Sequence, residues 1–271
     1  MNHCRMPFFY PTLPVAIRFL KGAEKARSRE DSVLDSQAPS FYTPPMNKER
    51  CLVMFVKYPE KGKVKTRLSQ YWDEDMVVRL YRAFVYDLLA SLSEGDYGFR
   101  IAYHPRERGK DFANEFGDTF SYLPQTGTGL GEKMHNAFKK CFSEGFQAVV
   151  VIGSDSPDLP PRIITEAFQA LEKSSAVIGP SCDGGYYLIG FSRESFAPEA
   201  FDGIVWGTDG VGKTTMNILK NAKIRVHILP AWRDMDRPED IVALINDSGE
   251  TGFAASKTIA CLRDYGFIKH R

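Results

Sequence analysis

Short apolar runs alternate with amphipathic helical segments along most of this chain, and this alternation limits the fold more than any other feature. The runs 51–56 and 146–153 are typical of buried strands, and 97–104 alternates apolar and polar residues as a half-buried strand does. Between them, 73–93 and 131–145 carry apolar residues at helical spacing. Strands that alternate with helices predict an α/β fold with a mostly parallel central sheet between two layers of helices.

The second half of the chain continues the pattern. We predict strands at 176–180, 185–191 and 222–230. Helices are predicted at 161–174 and 238–247, each with proline in its first turn, where proline costs a helix nothing. The alternation therefore extends to the last third of the sequence.

Composition and charge narrow the classes of protein that this chain can be. It has 271 residues, 43% of them hydrophobic, and a formal net charge of +1. The length suits one large domain or two small ones. The near-neutral charge argues against a nucleic-acid-binding protein, and the apolar runs are too short to span a membrane. Five isolated cysteines without a CxxC pair favour a reduced, cytoplasmic protein.

The start of the chain differs from the rest. Residues 21–48 are polar and contain several prolines, and prolines also interrupt the apolar residues before them. We therefore predict that residues 1–45 are a poorly ordered N-terminal extension and that residues 46–271 form a single domain.

A basic loop follows the first predicted strand. The segment 57–69 contains Lys57, Lys65 and Arg67, and Gly62 allows a sharp backbone turn. In a parallel sheet, ligands gather at the carboxyl ends of the strands, and cations beside a flexible backbone suit a polyphosphate. The alternative is a solvated surface loop, and the position after the first strand favours a binding role.

Aspartates follow two further strands. Asp155 comes directly after the strand 146–153, where its carboxylate offers the oxygen ligands that Mg²⁺ or Mn²⁺ prefer. Asp234 and Asp236 follow the strand 222–230 and can meet the same cation from the other side. Asp158 and Asp240 are interpreted mainly as residues that cap the helices after them.

Two glycine-rich stretches complete the candidate site. Asp183-Gly184-Gly185 forms a tight turn into a strand, which is either a simple hairpin or a binding turn. The segment GTDGVGKTT at 207–215 matches the phosphate-loop pattern G-x-x-x-x-G-K-[ST] at every fixed position. A true phosphate loop would make the chain a nucleoside-triphosphatase, but it would leave only a short domain after it.

Six motifs in order carry a resemblance. They are FVKYPEKGKVKTRLS, QTGTGLGEKM, GSDSPDLP, GPSCDGGYYLIGF, the framework W-x-T-x-x-V-x-x-x-T after Trp206, and DMDRPED. Over residues 50–247 the chain resembles a bacterial family of GT-A-type nucleotide-diphospho-sugar transferases, often labelled arsenosugar-biosynthesis-type glycosyltransferases. More distantly, it is similar to the molybdenum-cofactor and phospholactate guanylyltransferases. In the family framework, Thr208 caps a helix that begins near Asp209, which leaves the phosphate-loop interpretation as a remote alternative.

The resemblance implies a site with a role for each motif. Lys65, Thr66 and Arg67 are expected to hold phosphates, with Lys57 and Gly62 beside them. Asp155 and Asp236 are expected to bind Mg²⁺ or Mn²⁺. A nucleotide base and ribose would contact Gln125, Gly129 and Gly131. A small-molecule acceptor would contact the remaining residues, Asp183, Gly184, Gly185, Tyr186 and Trp206.

Three functions stay open at this point. In glycosyl transfer, an acceptor oxygen attacks the sugar of a nucleotide-diphospho-sugar and Asp183 serves as the base. In nucleotidyl transfer, a phosphorylated acceptor attacks a nucleoside triphosphate. A regulatory module would bind a nucleotide without turnover. The family resemblance favours glycosyl transfer, and the basic loop favours nucleotidyl transfer because a triphosphate needs more cations. Base, sugar, acceptor and oligomeric state are not readable from the sequence.

Overall fold

The computed structural model of the protein describes residues 49–249 and 251–268. The extension predicted for residues 1–45 lies outside the described residues. These residues form seven strands and seven α-helices, which alternate except that β6 follows β5 and α7 follows α6. The strands are β1 (Arg50–Lys57), β2 (Gly98–His104), β3 (Ser121–Pro124), β4 (Ala148–Ile152), β5 (Ala176–Pro180), β6 (Tyr186–Ser192) and β7 (Val226–Ile228). The helices are α1 (Glu74–Leu92), α2 (Gly109–Phe116), α3 (Leu130–Ser143), α4 (Pro161–Leu171), α5 (Val211–Asn221), α6 (Pro238–Ser248) and α7 (Lys257–Asp264).

The strands form one sheet in the order β3-β2-β1-β4-β6-β5-β7. Strand β1 pairs in parallel with both β2 and β4, and β2 pairs in parallel with β3. Strand β6 is antiparallel to both its neighbours, β4 and β5, while β5 is parallel to β7. The predicted three-layer α/β/α architecture of GT-A type, with a mostly parallel sheet, is therefore confirmed.

Alternation along β1 shows how the sheet separates two cores. Leu52, Met54 and Val56 point into the core that α1, α4, α6 and α7 cover, whereas Cys51 and Val53 point into the core beneath α3 and α5. All five side chains are buried, as expected for a central strand of a parallel sheet that is covered on both faces. Strands β1, β4 and β5 run in the same direction, and β6 runs opposite to them. The sheet edge at the start of β6 therefore also holds the carboxyl ends of β1, β4 and β5.

Some elements differ from the sequence prediction. The last predicted strand, 222–230, is reduced to Val226–Ile228, because a turn at residues 222 and 223 follows helix α5 and residues 224 and 225 are not in the sheet. Strand β3 and helices α2 and α7 were not predicted. The helix expected from Asp209 begins at Val211, and the hydroxyl of Thr208 donates to the Val205 carbonyl instead of capping the helix. No helix within the described ranges has the length and apolar character that a membrane span requires.

Candidate active site

A cleft of about 480 Å³ lies at the carboxyl edge of the sheet. The loops after β1, β4 and β7 and the turn between β5 and β6 form most of its walls, and residues of all six motifs line it. Among the predicted site residues, the cleft is lined by Lys57, Lys65, Thr66, Arg67, Gln125, Asp155, Asp183, Gly185, Tyr186, Trp206 and Asp236. This position agrees with the rule that ligands bind outside the carboxyl ends of parallel strands.

Lys65 forms the centre of the charged part of the cleft. Its Nζ lies 2.5 Å from Asp155 Oδ1 and 3.0 Å from Asp236 Oδ1, and Arg67 Nη1 lies 2.9 Å from Asp236 Oδ2. The Lys65 side chain is only 3% exposed. Its backbone has φ = 45°, a left-handed conformation that is uncommon outside glycine. The surrounding contacts hold this strained residue in place, a pattern that recurs at functional sites.

The ion pairs determine the charge states in the cleft. Burial alone would lower the pKa of Lys65, but Asp155 and Asp236 outweigh it and raise that pKa, so the ammonium stays charged. Burial opposes the ionisation of Asp236, whose pKa is nevertheless lowered by Lys65 and then by Arg67. The two aspartates that we expected to share a metal ion therefore share the Lys65 ammonium in this structure.

A third aspartate, Asp234, lies beside this cluster. Its Oδ1 accepts a 2.7 Å hydrogen bond from Ser156 Oγ, and the backbone N–H of Met235 donates to the Asp155 carbonyl at 2.8 Å. These bonds join the loops after β4 and β7. Burial, and then the charge of Asp155, raise the pKa of Asp234 well above the usual range of a carboxyl. Asp234 thus places a third carboxyl group beside Asp155 and Asp236.

Helix α1 contributes a residue that sequence analysis missed. Tyr81 lines the floor of the cleft, where its hydroxyl accepts from the Lys57 backbone N–H at 3.1 Å and lies 2.8 Å from Ser154 Oγ. Burial raises the pKa of Tyr81 to about 12, so it stays protonated. Its position in the middle of a periodic helix gives it the appearance of a core residue, and the sequence carries no signal for its role.

Asp158 does not cap helix α4, which corrects our interpretation of the sequence. The N-cap residue is Pro160, and the Asp158 carboxylate accepts a 3.0 Å hydrogen bond from Trp232 Nε1. Burial raises the pKa of Asp158 to about 6. By contrast, Asp240 does cap α6, because its carboxylate accepts from the backbone N–H groups of Asp236 and Arg237.

The turn between β5 and β6 explains the phosphate-loop match. Gly184 has φ = 92°, and a Cβ placed there would lie 2.2 Å from the Asp209 carbonyl oxygen. Gly212 packs from the other side, where its N–H donates to the Gly184 carbonyl at 2.9 Å. Within the described chain, the residues directly before the motif form no strand, and Lys213 is exposed on α5. Gly212 of the motif therefore allows close packing against the turn at Gly184 and does not form a phosphate loop.

The other candidate residues have varied positions. Asp183 Oδ1 accepts from Ser181 Oγ and, at 3.1 Å, from the Gly185 N–H, so one carboxylate oxygen shapes the turn. Gln125 donates from Nε2 to the Ala102 carbonyl at 2.7 Å. Four of the predicted glycines are not among the residues that line the cleft: Gly62, Gly129, Gly131 and Gly184.

Gly131 has a packing role that sequence analysis did not foresee. It is buried in the first turn of α3, where a Cβ would approach the indole ring of Trp206 to 3.0 Å. Trp206 in turn meets Tyr186 edge to face, with ring centroids 6.3 Å apart. Gly131 therefore supports the cleft wall from behind.

Comparison with known proteins identifies the family. The model for bacterial proteins of the type "uncharacterized protein conserved in bacteria (DUF2064)" matches residues 88–208. The crystal structure of a provisionally named nucleotide-diphospho-sugar transferase from Desulfovibrio desulfuricans G20 is 40% identical, covering 79% of this chain and 94% of that one, with a TM-score of 0.77. The chain belongs to the DUF2064 family. Comparison with curated proteins finds no match.

More distant structures resemble this DUF2064 protein only in fold. The 4-diphosphocytidyl-2C-methyl-D-erythritol synthase from Anaerococcus prevotii is 10% identical, with a TM-score of 0.48, and covers 74% of this chain and 98% of that one. Molybdopterin-guanine dinucleotide biosynthesis protein A from Archaeoglobus fulgidus is 11% identical, with a TM-score of 0.47, and covers 74% and 100%. At these values neither comparison bears on the chemistry of the DUF2064 protein.

Proposed function

We propose that this chain is a metal-dependent transferase that takes its donor group from an activated nucleotide, and that the group is the sugar of a nucleotide-diphospho-sugar. One observation carries the proposal. Asp155, Asp236, Lys65 and Arg67, which lie far apart in sequence, meet in one cleft at the carboxyl edge of the sheet. The provisional name of the 40% identical relative points to the same chemistry.

The donor set in the cleft fits Mg²⁺ or Mn²⁺. No group of three or more metal-binding side chains occurs among residues 49–249 and 251–268. A magnesium site needs no such group, since Mg²⁺ usually binds through one or two carboxylates together with substrate phosphates and water. Asp155 and Asp236 would hold the ion at the place that the Lys65 ammonium takes between them in this structure. When bound, the ion would neutralise charge on a leaving diphosphate.

Other residues of the cleft would bind the diphosphate and accept the proton of the acceptor. Lys65 and Arg67 would orient the diphosphate, with Thr66 beside them, and would stabilise the nucleoside diphosphate as it leaves. In the transfer step, a bond forms between an acceptor oxygen and the anomeric carbon while the bond from that carbon to the diphosphate breaks. Asp183 would accept the acceptor proton through the carboxylate oxygen that the turn does not use.

Nucleotidyl transfer is the second candidate function, and a different observation favours it. Lys57 lines the cleft but forms no ion pair in the described chain, so the cleft contains positive charge beyond Lys65 and Arg67. A nucleoside triphosphate carries more negative charge than a sugar nucleotide and would use it. In that reaction, a phosphate oxygen of the acceptor attacks the α-phosphorus and pyrophosphate leaves.

A ligand panel separates these functions. The melting temperature is measured with nucleoside triphosphates and with sugar nucleotides, each with and without Mn²⁺, since a ligand of the native state raises stability with the logarithm of its concentration over Kd. We expect a sugar nucleotide with Mn²⁺ to give the largest shift and to release nucleoside diphosphate. Pyrophosphate release from a triphosphate would establish nucleotidyl transfer instead. Binding without either product would identify a regulatory module, and no shift with any nucleotide would refute the transferase proposal.

A further inference from the structure

Three neighbouring strands present polar residues from the same face of the sheet where they end. Lys57 and His104 are direct partners in the parallel register of β1 and β2. Because side chains alternate along a strand, Lys57 shares its face with Phe55, and His104 shares its face with Ala102, on the side of the sheet that α3 covers. Gln125 follows β3 at the corresponding position.

Helix α3 adds a second lysine to this group. Lys133 lies in the first turns of α3, and its Nζ is 3.4 Å from His104 Nδ1. With Lys133 as the donor, the neutral imidazole accepts at Nδ1 and carries its proton on Nε2, which remains available to donate. Of these three residues, Lys57 lines the cleft, together with Gln125 and Met134. His104 is the register partner of Lys57, and Lys133 lies next to Met134 on α3, so both lie beside the β1–β3 side of the cleft.

These two lysines differ from Lys65 and Arg67 in their direct partners. Lys65 and Arg67 are engaged by Asp155 and Asp236, whereas neither Lys57 nor Lys133 forms an ion pair within the part of the chain that the structure describes. Burial and then Lys57 lower the pKa of Lys133. The pKa of His104 is also lowered, first by burial and then by Lys133 and Lys57, while Glu107 acts in the opposite direction. Asp236 acts on Lys57, and Glu107 on His104, without a direct ion pair between them. Basic groups therefore lie together with no directly paired carboxylate among the described residues, an arrangement that an anionic ligand stabilises.

We propose that Lys57, His104 and Lys133 form a second anion site, which binds a phosphate or carboxylate group of the substrate at the β1–β3 side of the cleft. The assignment of this anion to a transferase substrate rests on the proposed function. It deepens that function by naming a substrate class: the donor and acceptor together carry an anionic group in addition to the diphosphate at Lys65 and Arg67. A neutral sugar acceptor with a plain sugar nucleotide would leave this site unused.

The test uses inorganic anions in the absence of metal. In EDTA, Lys65 and Arg67 remain paired with carboxylates, so binding of inorganic pyrophosphate to the intact chain reports mainly on the second site. Kd is measured by calorimetry, and the ring signals of His104 are followed by NMR. Phosphate and malonate are titrated in parallel to distinguish a phosphate site from a carboxylate site. Lys133→Gln is compared with Lys139→Gln, which removes the same charge from an exposed position on the same helix.

We expect wild type to bind pyrophosphate with a shift of the His104 signals. Lys133→Gln should bind pyrophosphate at least about tenfold more weakly than wild type, because it loses a charge-assisted hydrogen bond. Lys139→Gln keeps that bond and should stay within about twofold of the wild-type affinity. Equal effects of the two lysine variants, or binding that leaves the His104 signals unmoved, would overturn the proposal. Lys57→Gln gives a second variant if Lys133→Gln folds poorly. Nucleotide and Mn²⁺ binding through Asp155 is assayed separately, so failure of the second site and failure of the transferase function give different results.

Discussion

At the scale of single residues, Asp155 carries the most specific prediction. Asp155→Asn keeps the shape of the side chain but removes the charge that faces Lys65. We expect Mn²⁺-dependent nucleotide binding or turnover to fall by more than about 100-fold, because even residues outside the first ligand shell of a metal cost 10–100-fold. Circular dichroism should be unchanged. Asp158→Asn, the same change three residues further on, is the control and should leave nucleotide affinity close to wild type.

Asp158 itself predicts a pH-dependent stability. Its pKa is raised to about 6 in the folded protein, against about 3.9 in an unfolded chain. The folded state therefore binds more protons between about pH 4 and pH 6, and stability falls as pH rises through this window. Asp158→Asn keeps an oxygen that can accept from Trp232 Nε1 and removes the ionisation.

The variant should accordingly be more stable than wild type by about 3 kcal/mol above pH 7, and the difference should vanish near pH 4. Denaturant unfolding at several pH values measures this. Asp202→Asn, at an exposed position, supplies the matched control and should show no such trend. A constant difference across the pH range would mean that Asp158 is not buried as described.

At the scale of elements, helix α5 separates the phosphate-loop interpretation from a packing role. Gly212→Ala should destabilise the protein by about 1–3 kcal/mol, since its Cβ would lie 2.9 Å from the Gly184 carbonyl oxygen and overpacking costs this much. Gly210→Ala is the control, with ordinary backbone angles and its nearest contact at 3.8 Å. Lys213→Ala should leave nucleotide affinity within about twofold. A large loss of affinity in Lys213→Ala would restore the phosphate loop.

Elements with strong periodicity could be predicted from the sequence, because burial on one face leaves a repeated pattern. Helix α1 and strand β1 match their predicted ranges within one residue at each end. Strand β3 is too short for any pattern to stand out, and α7 has only eight residues. These short elements are stabilised by neighbours that are distant in sequence: α7, for instance, packs against α1, and its first N–H groups bind Asp87.

The candidate site likewise contains residues that the sequence predicts and residues that depend on contacts between distant segments. The rule that parallel strands end at one edge placed Asp155, Asp236, Lys65 and Arg67 in one region. Tyr81 and the pair His104–Lys133 depend on strand register and on which helix face meets the sheet, and both are set by packing between distant segments. The Lys65 ammonium between Asp155 and Asp236 could not be foreseen, because a single sequence does not show which cation a carboxylate meets.

At the scale of the whole molecule, the described residues contain a seven-stranded sheet with a hydrophobic core on each face. All seven strands and the cleft residues lie between Arg50 and Leu262. A chain that lacks residues 1–45 should therefore fold, melt within about 2 °C of the full chain and keep its nucleotide affinity. A loss of about 1 kcal/mol in the free energy of unfolding would lower the melting temperature by about 2–4 °C in a domain of this size. Loss of soluble protein on truncation would show that the extension packs on the domain.

The buried ammonium of Lys65 also determines how the cleft responds to ionic strength. Because Lys65 is already paired with Asp155 and Asp236, a phosphate that binds it replaces a carboxylate as its partner. One ion pair then replaces another, and few salt ions are released from the cleft. Pairs shielded from solvent are also screened weakly by salt. Nucleotide affinity in Mn²⁺ should therefore fall little between low and moderate NaCl concentrations, whereas pyrophosphate affinity in EDTA, which depends on the unpaired Lys57 and Lys133, should fall steeply. Equal salt dependence for the two ligands would show that both meet the same kind of cation.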